Sequence, residues 1–232
     1  MAQKSAPWKI LSVGGSIIIP KTGFDTAFLK KFRAFILRRI RQGERLILVV
    51  GGGATCRAYQ QAAAKVRELT TEDLDWIGIH STIFNAHFVR LLFKEYAHDQ
   101  VVTNPTKKVK TDKPIIVAAA WKPGHSTDYD AVLLAKTYGV KEVINLSNIE
   151  YVYDRDPNLY PDAQKIETID WKTFRREIVG NVWEAGKNAP FDPIASRRAE
   201  KLRLKVSILR GTDLSEVGKA LDGKKFKGTI IQ

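Results

Sequence analysis

Five short, predominantly apolar runs, Ile10–Val13, Leu46–Val50, Pro114–Ala118, Val143–Leu146 and Val206–Leu209, are separated by longer amphipathic stretches. A strand with one wet face alternates apolar and polar residues, whereas a predominantly apolar run has both faces covered. Buried strands spaced by helix-length segments predict a three-layer α/β/α sandwich around a central, mostly parallel sheet. The spacers fit that role. Asp25 is placed to cap a helix reaching about Gln42, with Leu29, Phe32, Ile36 and Ile40 on one face and basic residues from Lys30 to Arg41 on the rest. An Ala-rich helix is expected from about Ala54, another from Leu74 to Tyr96, and a third from Asp128 to Tyr138.

The Asp154–Asp162 and Lys107–Lys113 pieces read as exposed loops or hairpin arms, and neither has the composition of a domain linker. Residues 1–232 are therefore expected to form a single domain, with two lobes around a cleft. Cys56 alone excludes an intramolecular disulfide framework and a multi-cysteine zinc site. His80, His87, His98 and His125 lack metal-ligand spacing, so no metal is expected on protein side chains. No stretch approaches the ~18 apolar residues needed to span a bilayer, and a cytoplasmic protein without a membrane partner is expected. Charge is the unusual quantity: 38 Lys+Arg against 25 Asp+Glu gives +13. That surplus admits nucleic acid, an anionic surface or a highly charged small substrate.

In open α/β sheets, ligands bind at the carboxyl ends of the strands. Four turns fall there: Gly14-Gly15-Ser16, Gly51-Gly52-Gly53, Pro123-Gly124-His125-Ser126-Thr127-Asp128 and Ser147-Asn148. A strand running through glycines into a helix lets backbone N–H groups approach phosphate oxygens, and the helix N-terminus adds partial positive charge. The P-loop, dinucleotide and protein-kinase fingerprints are absent. Cys56, just after the glycine triplet, reads as a packing residue, although a helix N-terminus there would lower its pKa. Trp76, Trp121, Trp171 and Trp183 read as core or subunit interface.

With these turns, Asn148–Pro157, Phe191-Asp192-Pro193-Ile194-Ala195 and Asp75-Trp76-Ile77-Gly78 follow in an order that resembles the amino-acid kinase superfamily. Within it the chain is similar to uridylate (UMP) kinases of the archaeal type. The resemblance implies transfer of the γ-phosphoryl group of Mg-ATP to UMP, in pyrimidine nucleotide biosynthesis, by a homo-oligomer that is typically a hexamer. It implies an acceptor (UMP) site mainly in the part up to about residue 130 and an ATP site mainly in residues 131–232. Mg²⁺ would arrive with ATP, and no nucleic acid is expected.

Roles follow from the same resemblance. Gly15, Ser16 and Gly53 would meet ATP phosphates, and Gly52 the UMP phosphate. Arg57 would neutralise phosphate charge. Asp75 would accept from the UMP ribose, with a helix cap before Trp76 as the plainer reading. Lys122, Pro123, Gly124, His125, Ser126 and Thr127 would wrap UMP, with Asp128 at the reaction centre. Ser147, Asn148, Tyr153 and Asp156 would form the ATP pocket. Asp192 would orient a cationic group or Mg²⁺, cap the helix starting at Pro193, or do both.

The chain departs from the pattern in places. Common bacterial members carry Lys where Ser12 stands, which leaves Lys9 or Lys122 as candidate catalytic cations. Ala119-Ala120-Trp121 and Glu150-Tyr151 replace small residues at two turns. Two other readings stand beside this one. A different phosphotransferase of the superfamily would act on a carboxylate, carbamate or other phosphate. A noncatalytic regulatory or nucleic-acid-binding protein would rest on charge alone.

Overall fold

The computed structural model describes residues 6–182 and 189–232, and Trp183 lies outside them. The first half runs β1 (Trp8–Val13), α1 (Gly15–Ile18), α2 (Thr26–Arg41), β2 (Arg45–Val50), α3 (Gly53–Val66), α4 (Thr71–Leu92), β3 (Ile115–Ala118) and α5 (Thr127–Tyr138). The second half runs β4 (Glu142–Ser147), β5 (Val152–Tyr153), β6 (Lys165–Ile166), β7 (Thr168–Ile169), α6 (Trp171–Phe174), α7 (Pro193–Leu202), β8 (Lys205–Arg210), α8 (Leu214–Leu221) and β9 (Thr229–Ile231). All five apolar runs are strands of one seven-stranded sheet, ordered β3-β2-β1-β4-β8-β9-β7. Neighbours pair in parallel except β8 with β9. The short strands β7 and β9 carry too few residues to stand out in the sequence.

Strand periodicity sorts the interior into two cores. Leu11, Val13, Leu46, Leu48, Val50, Ile144 and Leu146 face the side covered by α2, α4 and α8. Ile10, Ile47, Val49, Val143, Val206 and Ile208 face the side covered by α5 and α7. On that second side the alternation places Ser12 and Asn145, opposite one another in the β1–β4 register, beneath α5.

The helix starts follow local chemistry. Asp25 accepts from the Phe28 amide at 2.9 Å and starts α2 as expected. The helix expected from Leu74 begins earlier, because Thr70 and Asp73 form a reciprocal capping box. Asp75 is therefore inside α4, and the reading of it as a cap is overturned. The Lys107–Lys113 piece is an irregular segment, and Asp154–Asp162 is the arm between the antiparallel β5 and β6. Tyr151 is buried beneath the ammonium of Lys165, 4.8 Å from its ring centroid, so its bulk fills the interior at that turn.

Candidate active site

The carboxyl ends of β1 and β2 bring the two glycine turns into backbone contact. A Cβ on Gly15 would lie 1.9 Å from the amide nitrogen of Gly53, closer than any side chain allows. Gly53 itself has φ of 63°, and a Cβ there would meet the Gly15 carbonyl oxygen at 2.5 Å. Neighbouring amides serve the fold: Gly51 donates to Val13 O at 3.0 Å and Ala54 to Ile19 O at 3.0 Å. Among the described residues the amides of Gly15, Ser16, Gly52 and Gly53 have no protein acceptor. They are the orphan donors of two helix starts, α1 and α3, gathered at one point.

One helix fixes the surrounding loops. The Asn85 side-chain amide on α4 donates to the carbonyls of Gly51 (3.0 Å) and Gly52 (2.8 Å), which orients the triplet. Thr82 Oγ1 accepts from the Ala120 amide at 3.0 Å and so holds the turn after β3. Asp75 Oδ2 accepts from the Gly124 amide at 2.7 Å. Gly124 sits at φ of 94°, a conformation suited to glycine, which lets the Pro123–Ser126 loop fold back onto α4.

Three acidic residues meet where α5 and α7 start. Asp128 Oδ1 accepts from Ser12 Oγ (3.1 Å) and Asn145 Nδ2 (2.8 Å), and Oδ2 accepts from the Asp192 amide (3.3 Å). Burial, followed by the negative charge of Asp192, pushes its carboxyl up to about 7, and the bonds from Ser12, the Asp192 amide and Ser126 oppose the rise. Asp192 is buried. It accepts from the amides of Ile194 (2.6 Å), Ala195 (3.2 Å) and Ser126 (2.6 Å). The cap is thus observed, and the same carboxylate ties the start of α7 to the loop that starts α5. Asp130, one turn along α5, is wholly buried, and neither carboxyl oxygen has a hydrogen-bond partner among the described residues. Burial holds its pKa well above the usual carboxylate range; the nearby Trp121 backbone opposes the rise, and the charges of Asp192 and Asp128 add to it.

The remaining expected residues lie around this centre. Arg57, in the first turns of α3, is half-buried and makes no hydrogen bond among the described residues. Lys122 is exposed, its ammonium 4.3 Å from the Trp121 ring centroid. Pro123 precedes the Gly124 anchor, and Thr127 is the first residue of α5 behind its Ser126 cap. His125 packs on the Tyr129 ring, with centroids 4.5 Å apart, and burial lowers its pKa. Ser147 ends β4, with Asn148 exposed beside it. Tyr153 is half-buried on β5, opposite Lys165. Asp156 is exposed and accepts from the backbone and side-chain nitrogens of Asn158, at 2.9 and 3.0 Å. It shapes the tip of the β5–β6 arm.

One expectation fails, that of Lys9 as a catalytic cation. Lys9 sits at the amino half of β1, where its ammonium binds Glu44 (2.7 Å) and the Leu221 carbonyl (2.7 Å), so it is a structural tie at the far end of the strand from the glycines. Burial pushes the Cys56 thiol up, outweighing the charge of Arg57 and the bond with Ser81, which agrees with a packing residue rather than a reactive thiolate. Of the tryptophans, Trp171 is core, Trp121 is half-buried and Trp76 is exposed.

Sequence reading missed Asn145, Asn85, Thr82 and Asp130, and took Ser12 only as an absence of Lys. Asn145 carried a signal, because it interrupts an otherwise apolar strand, and a polar group there needs a partner. Asn85, Thr82 and Asp130 sit in helices where polar residues are ordinary, so nothing local marked them.

Among the described residues, no group of three or more His, Cys, Asp or Glu gathers to hold a metal ion. No helix of the described residues is long and apolar enough to cross a membrane.

Known proteins match over nearly the whole chain. Residues 7–210 match the model of the amino acid kinase family. The uridylate kinase of Methanospirillum hungatei is 31% identical over 228 residues, 97% of this chain and 94% of that protein. That of Pyrococcus abyssi is 30% identical over 225 residues, 96% of this chain and 98% of the relative. Among solved structures, uridylate kinase from Archaeoglobus fulgidus superposes with a TM-score of 0.81 at 26% identity, covering 98% of this chain and 100% of that one. UMP kinase from Bacillus anthracis, at 17% identity and a TM-score of 0.76, shares the fold.

Proposed function

The chain belongs to the amino acid kinase family, and we propose that it is an archaeal-type UMP kinase that converts ATP and UMP to ADP and UDP. The observation that carries this reading is the cluster of four unpartnered amides on two touching glycine turns, next to the strand residue Ser12 that holds Asp128. An oxygen of the UMP phosphate attacks the γ-phosphorus as the bond to the β–γ bridging oxygen breaks. Such transfer needs in-line positioning and stabilisation of charge on the equatorial oxygens rather than covalent help. UMP and ATP together bring about six negative charges at neutral pH. Mg²⁺ arriving with ATP would offset part of that charge.

The residues divide the work as follows. Amides of Gly15, Ser16 and Gly53 meet ATP phosphates, and the Gly52 amide meets the UMP phosphate. Arg57 and Lys122, neither held by a carboxylate among the described residues, supply mobile positive charge. Asp75 keeps the Pro123–Ser126 loop against α4 through Oδ2 and presents Oδ1 to the UMP ribose. Asp128, fixed by Ser12 and Asn145, sits at the reaction centre, and Asp192 is a positioning residue that holds its amide and that of Ser126 in place. Ser147, Asn148, Tyr153 and Asp156, on the β4–β6 side, form the adenosine end. Homo-oligomer formation is supported by an exposed apolar strip on α3 and α4, where Tyr59, Trp76 and Phe84 line a groove of about 510 Å³.

A coupled ADP-release assay with Mg-ATP and UMP, CMP, carbamate or glutamate tests the reading. Turnover is expected on UMP above all others. Turnover on carbamate or glutamate with none on UMP would replace it with another family reaction.

A further inference from the structure

Beneath the amino ends of β1 and β4, the end of the sheet opposite the glycine turns, lies a second cavity of about 790 Å³. Its size falls within the ~300–1,000 Å³ of small-molecule sites. Arg45, Lys108, Lys110 and Lys141 line it, with Trp8 and Tyr138, and no Asp or Glu does. None of the four cations pairs with a carboxylate among the described residues. Two neighbouring basic residues differ: Arg39 bridges Glu44 and Asp222, and Lys9 is tied to Glu44. Like charges gathered without counter-charge raise the energy of the free protein and are relieved by a bound anion.

The cavity is built rather than a chance meeting of surface lysines. The Arg45 guanidinium lies 4.0 Å over the Trp8 ring centroid and donates to the Thr111 carbonyl at 2.9 Å. The Tyr138 hydroxyl accepts from the Val109 amide at 2.9 Å, and its ring meets Trp8 edge-on at 5.7 Å. These two bonds pin the 108–111 segment across the opening, so Lys108 and Lys110 are held along one wall, and Lys141 adds charge from the start of β4. A single phosphate would leave most of that charge unanswered. We propose that this cavity is a second, non-catalytic site for a polyphosphate chain, either bare or as the tail of a nucleoside triphosphate.

The test is lysine-resolved acetylation of the full chain, with inorganic tripolyphosphate as probe and mass spectrometry as readout. At a concentration about ten times Kd, acetylation of Lys108, Lys110 and Lys141 should slow about tenfold, with exposed Lys172 and Lys201 unchanged. In a Lys108→Glu/Lys141→Glu variant that melts normally, protection of Lys110 should be lost. ATP in place of tripolyphosphate distinguishes the sources: stronger protection means a nucleotide, equal protection means the phosphate chain alone, and both support the site. Equal slowing at all lysines, no slowing, or protection only by a single-stranded oligonucleotide would overturn it. Turnover on UMP plays no part in the readout, so the site and the reaction stand or fall separately.

Discussion

The two ends of β1 and α5 present hydrogen-bond donors of opposite kinds. At the carboxyl end, the donors are backbone amides of Gly15, Ser16, Gly52 and Gly53, and the buried polar side chains around them include Asn85 and the acids Asp128 and Asp192. At the amino end, the donors are Arg45, Lys108, Lys110 and Lys141, with aromatic rings between them. Backbone amides are fixed by the sheet and cost no side-chain entropy to position, so they suit a reaction that needs geometry. Long cationic side chains give attraction with little geometry, which suits binding. Asp128 and Asp192 hold the architecture at the carboxyl end, and in the proposed reaction Arg57, Lys122 and Mg²⁺ brought by ATP would answer the phosphate charge.

Asp128→Asn should lower kcat by at least ~10²-fold, as for other groups that act on transition-state charge, whereas Lys108→Glu/Lys141→Glu leaves kcat unchanged. The asparagine oxygen can still accept from Ser12 and Asn145, so its melting temperature should stay near that of the parent. Near-normal kcat in Asp128→Asn would erase the contrast between the two ends.

A pH series sharpens it. If the ionised form of Asp128 is required, kcat/KM should rise through about pH 7 and flatten above it, and this limb should vanish in Asp128→Asn. Stability should move the other way. The folded carboxyl keeps its proton up to about 7 while the unfolded chain loses it near the ordinary carboxylate range, so stability falls as pH rises between those points. A pH-independent kcat/KM across that window would remove Asp128 from the chemistry.

The smallest effect concerns Asp130, which is buried without a partner and holds its proton well above the usual range. Its folded form also resists ionisation, so it too lowers stability as pH rises past the ordinary carboxylate range. Asp130→Asn should melt higher than the parent at pH 8 and about equally at pH 4, with kcat little changed. Lower melting at both pH values would show that Asp130 has a partner when the protein is in solution.

Much of the fold was legible because both-face burial leaves a signal in consecutive residues. Val49 and Val50 are apolar for the same reason that they are central in the sheet. The β7 and β9 strands were not, since two or three residues carry no pattern and their pairing is settled by what lies beside them. Glycine turns and caps were also local: Asp25 and Asp192 each bond to amides within a few residues, so local spacing announced them, while the Ser126 cap was read only as part of a binding turn.

The sequence by itself determined where the main strands lie and which glycine turns follow them, and it set the positive surplus of +13. Tertiary structure alone decided which charges belong to the reaction. It sent Lys9 to the far end of its strand, placed Asp75 within a helix as the anchor of Gly124, and set Ser12 opposite Asn145 under Asp128. It also divided the positive surplus, with Arg39 neutralised inside the fold and Lys108, Lys110 and Lys141 gathered unpaired in one cavity. The physical reason is range. Periodicity, capping and glycine turns act over a few residues, whereas the pKa of Asp128 and the charge of a cavity depend on groups brought together from distant parts of the chain.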